Sequence, residues 1–402
     1  MVTSIESQLL STTTELRAQV ELVVNSTPVR DVHTHLFPSE FNELCLFGID
    51  ELLTYHYLVA EMFRSARITY DQFWSMTKPA QADLVWKTLF VDNTPTSEAA
   101  QGIVSVLDVF GLDTRAPDLK EARAFFNSRR LAEHIDHVFD IARVSGVVMT
   151  NDPFDETESE IWKSGGNVDL RFKSSLRLDH LLNNVESGSA ASIRQLLDQS
   201  IKRLNPVYLA VSLPPDFQYP NDDTRYRLLR EVVLPAAKEH GLSLTLMVGV
   251  RRGVNPKLRE AGDALGRADV SAIERLCADY PDVRFLVTFL SRENQHELCV
   301  AARKFNNLMP FGCWWFLNNP STVSEITRER FELLGQSFIP QHSDARVLEQ
   351  LIYKWKHARK QIGEALCISY EQLLENGRAV TREEISRDVN RLFSGNFNSW
   401  VG

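Results

Sequence analysis

Eight short runs rich in β-branched and other apolar residues recur along this chain, separated by stretches of helical periodicity. They are Pro28–His33, Ser145–Thr150, Arg171–Arg177, Pro206–Ser212, Leu242–Val250, Arg284–Leu290, Leu308–Trp315 and Ser337–His342. Strands that alternate with helices predict a parallel α/β architecture, and the number eight predicts a closed (β/α)8 TIM-type barrel. Pro340 interrupts the eighth run, because proline has no N–H to give a ladder. A doubly wound open sheet would place a glycine-rich phosphate loop after an early strand, and the sequence has none there. With 402 residues, the chain suits a single domain, 1–402, built on a barrel of roughly 250 residues plus an insertion. The insertion is expected at 36–145, between the first and second strands, a gap too long for an ordinary loop. Helical patterns fill it at 50–64, 70–90, 97–110, 118–128 and 128–145, and its place after a strand puts it at the barrel mouth. Residues 346–402 read as a C-terminal helical segment.

Apolar residues make up 44% of the chain and charged residues 24%, the balance of a folded globular protein. The net charge of −9 argues against nucleic acid as a partner, because phosphate contact needs a basic face. It also means that an anionic small molecule must be met by local arginines. Five cysteines, Cys45, Cys277, Cys299, Cys313 and Cys367, are scattered without a CxxC, which reads as reduced thiols and a cytoplasmic location. The N-terminal stretch up to Val23 has an amphipathic helix pattern with acids rather than a basic region and apolar core, so it does not read as a signal peptide. No apolar run has transmembrane length, and no membrane partner is expected. The apolar positions of Leu392–Val401 pack either within the chain or between subunits, and a homo-oligomer is the expected assembly.

His33-Thr34-His35 is the sharpest local feature. Residues i and i+2 of a strand point to one face, so at the end of a barrel strand both imidazoles would aim into the mouth. Two neutral imidazoles suit zinc or a similar divalent ion. A carboxylate is wanted beside them, and Asp344, just past the eighth strand, would be brought there by barrel closure; the bland alternative is an N-cap for the helix that follows. Arg346 could stabilise an oxyanion or be a solvated helix-start arginine. His56 and Tyr57 lie in the insertion, where a phenol over the site could relay a proton or merely be a core aromatic. Arg177 ends the third strand and could clamp a carboxylate or pair with Asp179. Arg292 belongs to a polar cluster, Ser291–His296, after the sixth strand. Trp314, with Trp315, could form a sugar-facing wall or pack in the core.

Together these motifs resemble the uronate (glucuronate) isomerases of the amidohydrolase superfamily, in a compact, divergent branch. Asp31-Val-His-Thr-His-Leu36 is similar to the family's opening D-x-H-x-H-L. His56-Tyr57 followed by Met62-Phe-Arg64, Asn151-Asp-Pro153, Phe311-Gly-Cys-Trp-Trp-Phe-Leu317 and Ser343-Asp-Ala-Arg346 are similar to its later motifs. The resemblance spans nearly the whole chain. It implies interconversion of D-glucuronate with D-fructuronate, and of D-galacturonate with D-tagaturonate, through a cis-enediol. It further implies one divalent metal ion, with zinc expected, on His33, His35 and Asp344. Asp344, Arg346 and Tyr57 would be catalytic, and Arg177, His56, Arg292 and Trp314 would bind the sugar acid. The ends of the fourth, fifth and sixth strands, Val211–Pro215, Val248–Arg251 and Leu290–Arg292, hold no ligand of the kind the wider superfamily uses there, so a binuclear centre is not expected. Two rivals remain at this point: a metal-dependent hydrolase or decarboxylase on the same barrel, and a sugar-acid binding protein without turnover.

Overall fold

The computed structural model describes residues 9–164, 168–183 and 189–402. Its centre is a seven-stranded sheet: β1 (Val29–Thr34), β2 (Val144–Asn151), β3 (Phe172–Arg177), β4 (Tyr208–Leu213), β5 (Ser243–Val248), β6 (Phe285–Phe289) and β7 (Leu308–Pro310). The strands follow chain order across the sheet and every neighbouring pair is parallel. Each connection therefore has to cross back over the sheet, and helices such as Ala190–Leu204 and Ser271–Asp279 do so.

The expected eighth strand is not a regular one. Pro340 supplies no N–H, and Asp344 has a left-handed backbone at φ 52°. What forms instead is an isolated bridge between Phe311 and Ile339. The segment 339–345 nevertheless touches both edges of the sheet. On one side Ile339 N–H donates to Pro310 O (3.1 Å) and Gly312 N–H to Ile339 O (2.9 Å). On the other, Asp344 N–H donates to His33 O (3.1 Å) and His35 N–H to Ala345 O (2.8 Å). The seventh expected strand is also shorter than 308–315. After Pro310 the chain turns at Gly312 (φ 65°), where an added Cβ would stand 1.9 Å from the His342 ring, and Trp315–Leu317 is a single 3-10 turn.

Residues 35–143 carry Ile49–Leu53, His56–Met62, Tyr70–Trp74, Lys78–Trp86 and its π continuation Lys87–Val91, Glu98–Val109, Lys120–Asn127 and Leu131–Ala142. Caps explain where several of these begin. Thr69 and Gln72 form a reciprocal capping box, and the Ser97 hydroxyl accepts the Ala100 N–H. Two expected helices are broken. The one at 50–64 stops at Thr54–Tyr55, and the one at 70–90 restarts at Lys78 with Pro79 in its first turn. At the N-terminus, residues 1–8 of the expected helix lie outside the described residues. Leu9–Leu10 pair antiparallel with Val380–Thr381, and the helix is Thr13–Ser26.

Val32, Val148, Tyr208, Ala210, Met247, Leu286, Met309, Phe311 and Ile339 share one buried cluster, drawn from six strands and the 339–345 segment. Phe397 joins it from the last helix, its ring 6.1 Å from that of Tyr208. The apolar 392–401 stretch thus packs within the chain, with Leu392, Phe393 and Phe397 all buried. Burial of each such side chain contributes about 1.5–3 kcal/mol. The 26-residue helix Gln350–Glu375 runs behind the seam between β1 and residues 339–345 and buries Lys354 and Trp355.

Candidate active site

The site lies where β1 meets 339–345. The register of β1 against β2 shifts between Asp31 and Thr34, an irregularity of the kind that re-aims side chains beside active sites. His33 Nε2 lies 3.7 Å and His35 Nε2 3.4 Å from the same oxygen, Asp344 Oδ1. These three residues are the one His/Cys/Asp/Glu cluster among the described residues whose ligand atoms converge, all within 4.8 Å of each other. Asp344 does not cap a helix: its φ is 52°, and the next helix begins at Gln350.

Buried hydrogen bonds hold this turn. The Asp31 carboxylate accepts the Ser343 N–H at 3.0 Å and the Trp355 indole N–H at 2.8 Å. Ser343 O accepts from Lys354 Nζ at 2.7 Å and from Asn318 Nδ2 at 3.0 Å. Burial pushes the Asp31 carboxyl up to about 6 and the His33 and His35 imidazoles down to about 3 and about 4. Burial also opposes charge on Asp344, but its hydrogen bond to His35 and the nearby imidazoles hold it well below the usual carboxylate range. At neutral pH an anion therefore faces two neutral rings.

The tautomer of His33 follows from its neighbour. Tyr208 Oη donates its one proton to Val32 O at 2.7 Å, so at 3.2 Å from His33 Nδ1 it accepts the ring N–H. His33 Nε2 then presents a lone pair toward an anionic oxygen. A lone pair aimed at a carboxylate needs a cation between them, and a hydroxyl on the far ring nitrogen is how metal-bound histidines are oriented. The residues fit one divalent ion.

The cleft over this cluster is lined by His33, His35, Tyr55, His56, Thr150, Arg177, Asp179, Ala210, Val211, Ser212, Met247, Arg252, Trp314, Trp315, Asp344 and Arg346, convergent polar groups set among apolar and aromatic ones as in small-molecule sites. Arg177 lines the cleft and pairs with Asp179, Nε to Oδ2 at 3.1 Å. Arg346 lines it while Nη1 meets Glu260 at 3.2 Å. Trp314 and His56 are on the wall too, and burial pushes His56 down to about 3.

Two expected residues are elsewhere. Arg292 sits on an exposed surface in an ion pair with Glu325 at 2.7 Å, because the 3-10 turn Arg292–Asn294 directs it outward along the neighbouring helix. Tyr57 does not line the cleft: it is half-buried, its hydroxyl is buried without a hydrogen-bond partner, and its ring lies 5.8 Å from Lys354 Nζ. The break at Thr54–Tyr55 puts Tyr55, not Tyr57, on the cleft. Trp315 joins Trp314 on the wall, and Tyr55, Arg252, Thr150, Ser212 and Met247 were not anticipated. Ser212 could have been found by strand parity, since it follows Tyr208 and Ala210 on alternate positions of β4. The ends of β4, β5 and β6 add no further member to the ligand cluster among the described residues.

Neither a scan against protein-family models nor a search of curated proteins gives a match. Among solved structures, a uronate isomerase from Bacillus halodurans C-125 superposes with a TM-score of 0.95 at 48% identity, covering 98% of this chain and 97% of that one. A uronate isomerase from Thermotoga maritima gives a TM-score of 0.76 at 14% identity over 99% of both chains. A glucuronate isomerase from Caulobacter crescentus gives 0.74 at 15% identity, covering 97% of this chain and 94% of that one. The last two show a shared fold. Nearly half of all positions shared with the Bacillus enzyme, from one end of the chain to the other, settle the family as well: the chain belongs to the uronate isomerases.

Proposed function

We propose that the enzyme interconverts D-glucuronate with D-fructuronate and D-galacturonate with D-tagaturonate by proton transfer through a cis-enediol. The observation that carries this is the meeting in one cleft of an anionic carboxylate, Asp344, two neutral imidazoles, and the arginines Arg346 and Arg177. His33, His35 and Asp344 would hold one divalent ion, with zinc expected, and when bound it supplies positive charge for the oxygen of an enediol.

The protein's own groups divide the remaining work. The C2 proton of an open-chain uronate leaves only if charge on the carbonyl oxygen is stabilised, and the fixed cation of Arg346 is placed for that. Asp344 takes the C2 proton as the C1=C2 enediol forms and returns it to C1, so the mass of the sugar is unchanged. Both imidazole contacts fall on Oδ1, which leaves Oδ2 as the oxygen that carries the proton. Arg177 fixes the C6 carboxylate and with it the register of C1 and C2. His56 and Trp314 bind the sugar from the wall. The O1/O2 proton falls to the cleft-facing phenol, Tyr55, rather than to Tyr57.

The proposed architecture is a single (β/α)8 barrel domain, 1–402, in which 339–345 takes the eighth strand's place. Residues 36–145 form a helical insertion at the mouth and 346–402 a C-terminal helical segment. Backbone bonds from 339–345 to both β7 and β1 support closure. A cytoplasmic location, supported by five buried, free cysteines, and a homo-oligomeric assembly are part of the same proposal. No described helix is long and apolar enough to cross a membrane.

Proton NMR of the purified, zinc-loaded enzyme with D-glucuronate and then D-galacturonate in D₂O tests the reaction. Ketouronate signals should appear at constant total sugar, with deuterium entering the sugar. No change with either sugar, after zinc and manganese reconstitution, sinks the substrate assignment, and a product of different mass supports a hydrolase or decarboxylase instead.

A further inference from the structure

We propose that Lys354, together with Trp355, is a positioning residue: the pair sets the backbone turn that aims Asp344 at its metal. This deepens, and rests on, the metal site proposed above. Lys354 and Trp355 are adjacent on the Gln350–Glu375 helix and both are buried, at 2% and 1% exposure. Neither touches the cleft. Lys354 directly and Trp355 through Asp31 hold the two backbone polar groups of Ser343, the residue preceding Asp344.

Lys354 Nζ donates to Ser343 O at 2.7 Å. Trp355 Nε1 donates to Asp31 Oδ2 at 2.8 Å, and the same carboxylate accepts the Ser343 N–H. Ser343 is thus clamped through its carbonyl by one residue of the helix and through its N–H, by way of Asp31, by the next. Asp31 belongs to β1, two residues before His33, so the clamp also ties the Asp344 turn to the histidine strand.

The turn needs such a clamp. Asp344 has φ 52°, a left-handed conformation that costs a non-glycine residue of order 1–3 kcal/mol and persists only when its surroundings over-determine it. A lysine is also an expensive choice for a buried hydrogen bond to a carbonyl, because its charge loses solvation. A neutral donor would serve packing alone. The cation additionally lies 5.8 Å from the Tyr57 ring, so one ammonium group bears on both the ligand turn and the helix that carries His56 and Tyr57.

Zinc affinity of the purified full-length chain, measured by competition with a chromophoric chelator, tests the role. Wild type, Lys354→Met, Trp355→Phe, Asp344→Asn and Ile362→Val would be compared. Ile362 is buried on the same helix, away from the turn. Lys354→Met and Trp355→Phe should each raise the zinc Kd about 10- to 100-fold, as loss of outer-shell partners does, while Ile362→Val leaves it unchanged. Excess zinc should restore most of the turnover of Lys354→Met but not of Asp344→Asn. Trp355→Phe keeps the bulk and carries the test if Lys354→Met does not fold. Wild-type affinity in both variants, or an equal loss in Ile362→Val, overturns the positioning role alone. Failure of the wild type itself to bind zinc more tightly than Asp344→Asn overturns the metal site, and the inference with it.

Discussion

The seam that carries the ligands and the aromatic wall across the cleft treat buried polar groups in opposite ways. In the seam Asp31, Ser343, Asn318, Lys354 and Trp355 are linked in a hydrogen-bonded network, with His342 the exception, both its ring nitrogens lying unpartnered between the His33 and Phe311 rings. On the wall His56 Nε2 and Trp315 Nε1 are buried with no hydrogen-bond partner, and behind them so is the Tyr57 hydroxyl. Each such group costs about 1–3 kcal/mol. The difference separates two tasks. Geometry needed before any substrate arrives is fixed by completed hydrogen bonds, whereas the wall groups proposed to meet a hydroxyl-rich sugar keep theirs open.

The largest effect that can break this division is at Arg346, which reaches the cleft from the seam side but is proposed to serve substrate. Arg346→Met should lower kcat by about 10²- to 10³-fold, the usual loss on removing an oxyanion partner, with zinc affinity unchanged. Steady-state kinetics on metal-loaded protein beside chelator competition checks both halves. Unchanged turnover removes the oxyanion role. A parallel loss of zinc places Arg346 with the metal turn and erases the distinction.

The same division explains how legible the site was. His33, His35 and Asp344 could be read because strand parity and the order of barrel strands are strict geometric rules. Arg177 and Trp314 were reached from strand ends in the same way. The wall was harder. Its residues lie on helices whose breaks depend on packing, and the interruption at Thr54–Tyr55 that exchanges Tyr57 for Tyr55 has no proline or glycine to announce it. Arg292 failed because a polar cluster after a strand looks the same whether it faces the mouth or the solvent. The eighth strand failed as a regular element because Pro340 and the left-handed Asp344 both forbid it, although the position predicted for it is occupied. The strands β4, β5 and β6, nearly continuous in apolar residues and buried on both faces, were legible as apolar runs.

A smaller effect is expected at Arg177, the group assigned to the distant carboxylate. Arg177→Met should raise KM for a uronate by about 10- to 100-fold, with a lesser fall in kcat, as loss of a bidentate charge-assisted contact far from the reacting carbons predicts. The sharper readout is selectivity. An aldose of the same configuration with a CH₂OH at C6 lacks the carboxylate, so its rate should be nearly indifferent to the substitution. An equal loss for both sugars would return Arg177 to its ion pair with Asp179 as a purely structural residue.

The smallest effect concerns the joint between insertion and seam. Glu98 begins the Glu98–Val109 helix, half-buried beside His357 of the long helix, Oε1 to Nδ1 at 3.5 Å. Burial pushes its carboxyl from 4.5 up to about 7, against the opposing charge of Lys354. A carboxyl whose folded pKa is raised binds its proton more tightly in the folded state. Its contribution is therefore full below about 4.5 and is lost as pH rises through about 7. Glu98→Gln removes that loss. His357, which burial pushes down to about 4, titrates with the opposite sign, but it is common to both proteins and cancels in their difference. Glu98→Gln should thus match wild type near pH 4.5 and become more stable than it by on the order of 1 kcal/mol by pH 8, read from urea unfolding at matched pH values. A difference that stays constant across that range would mean Glu98 is ionised throughout, held by Lys354, and would tie the insertion to the seam by an ion pair instead of by a shared proton.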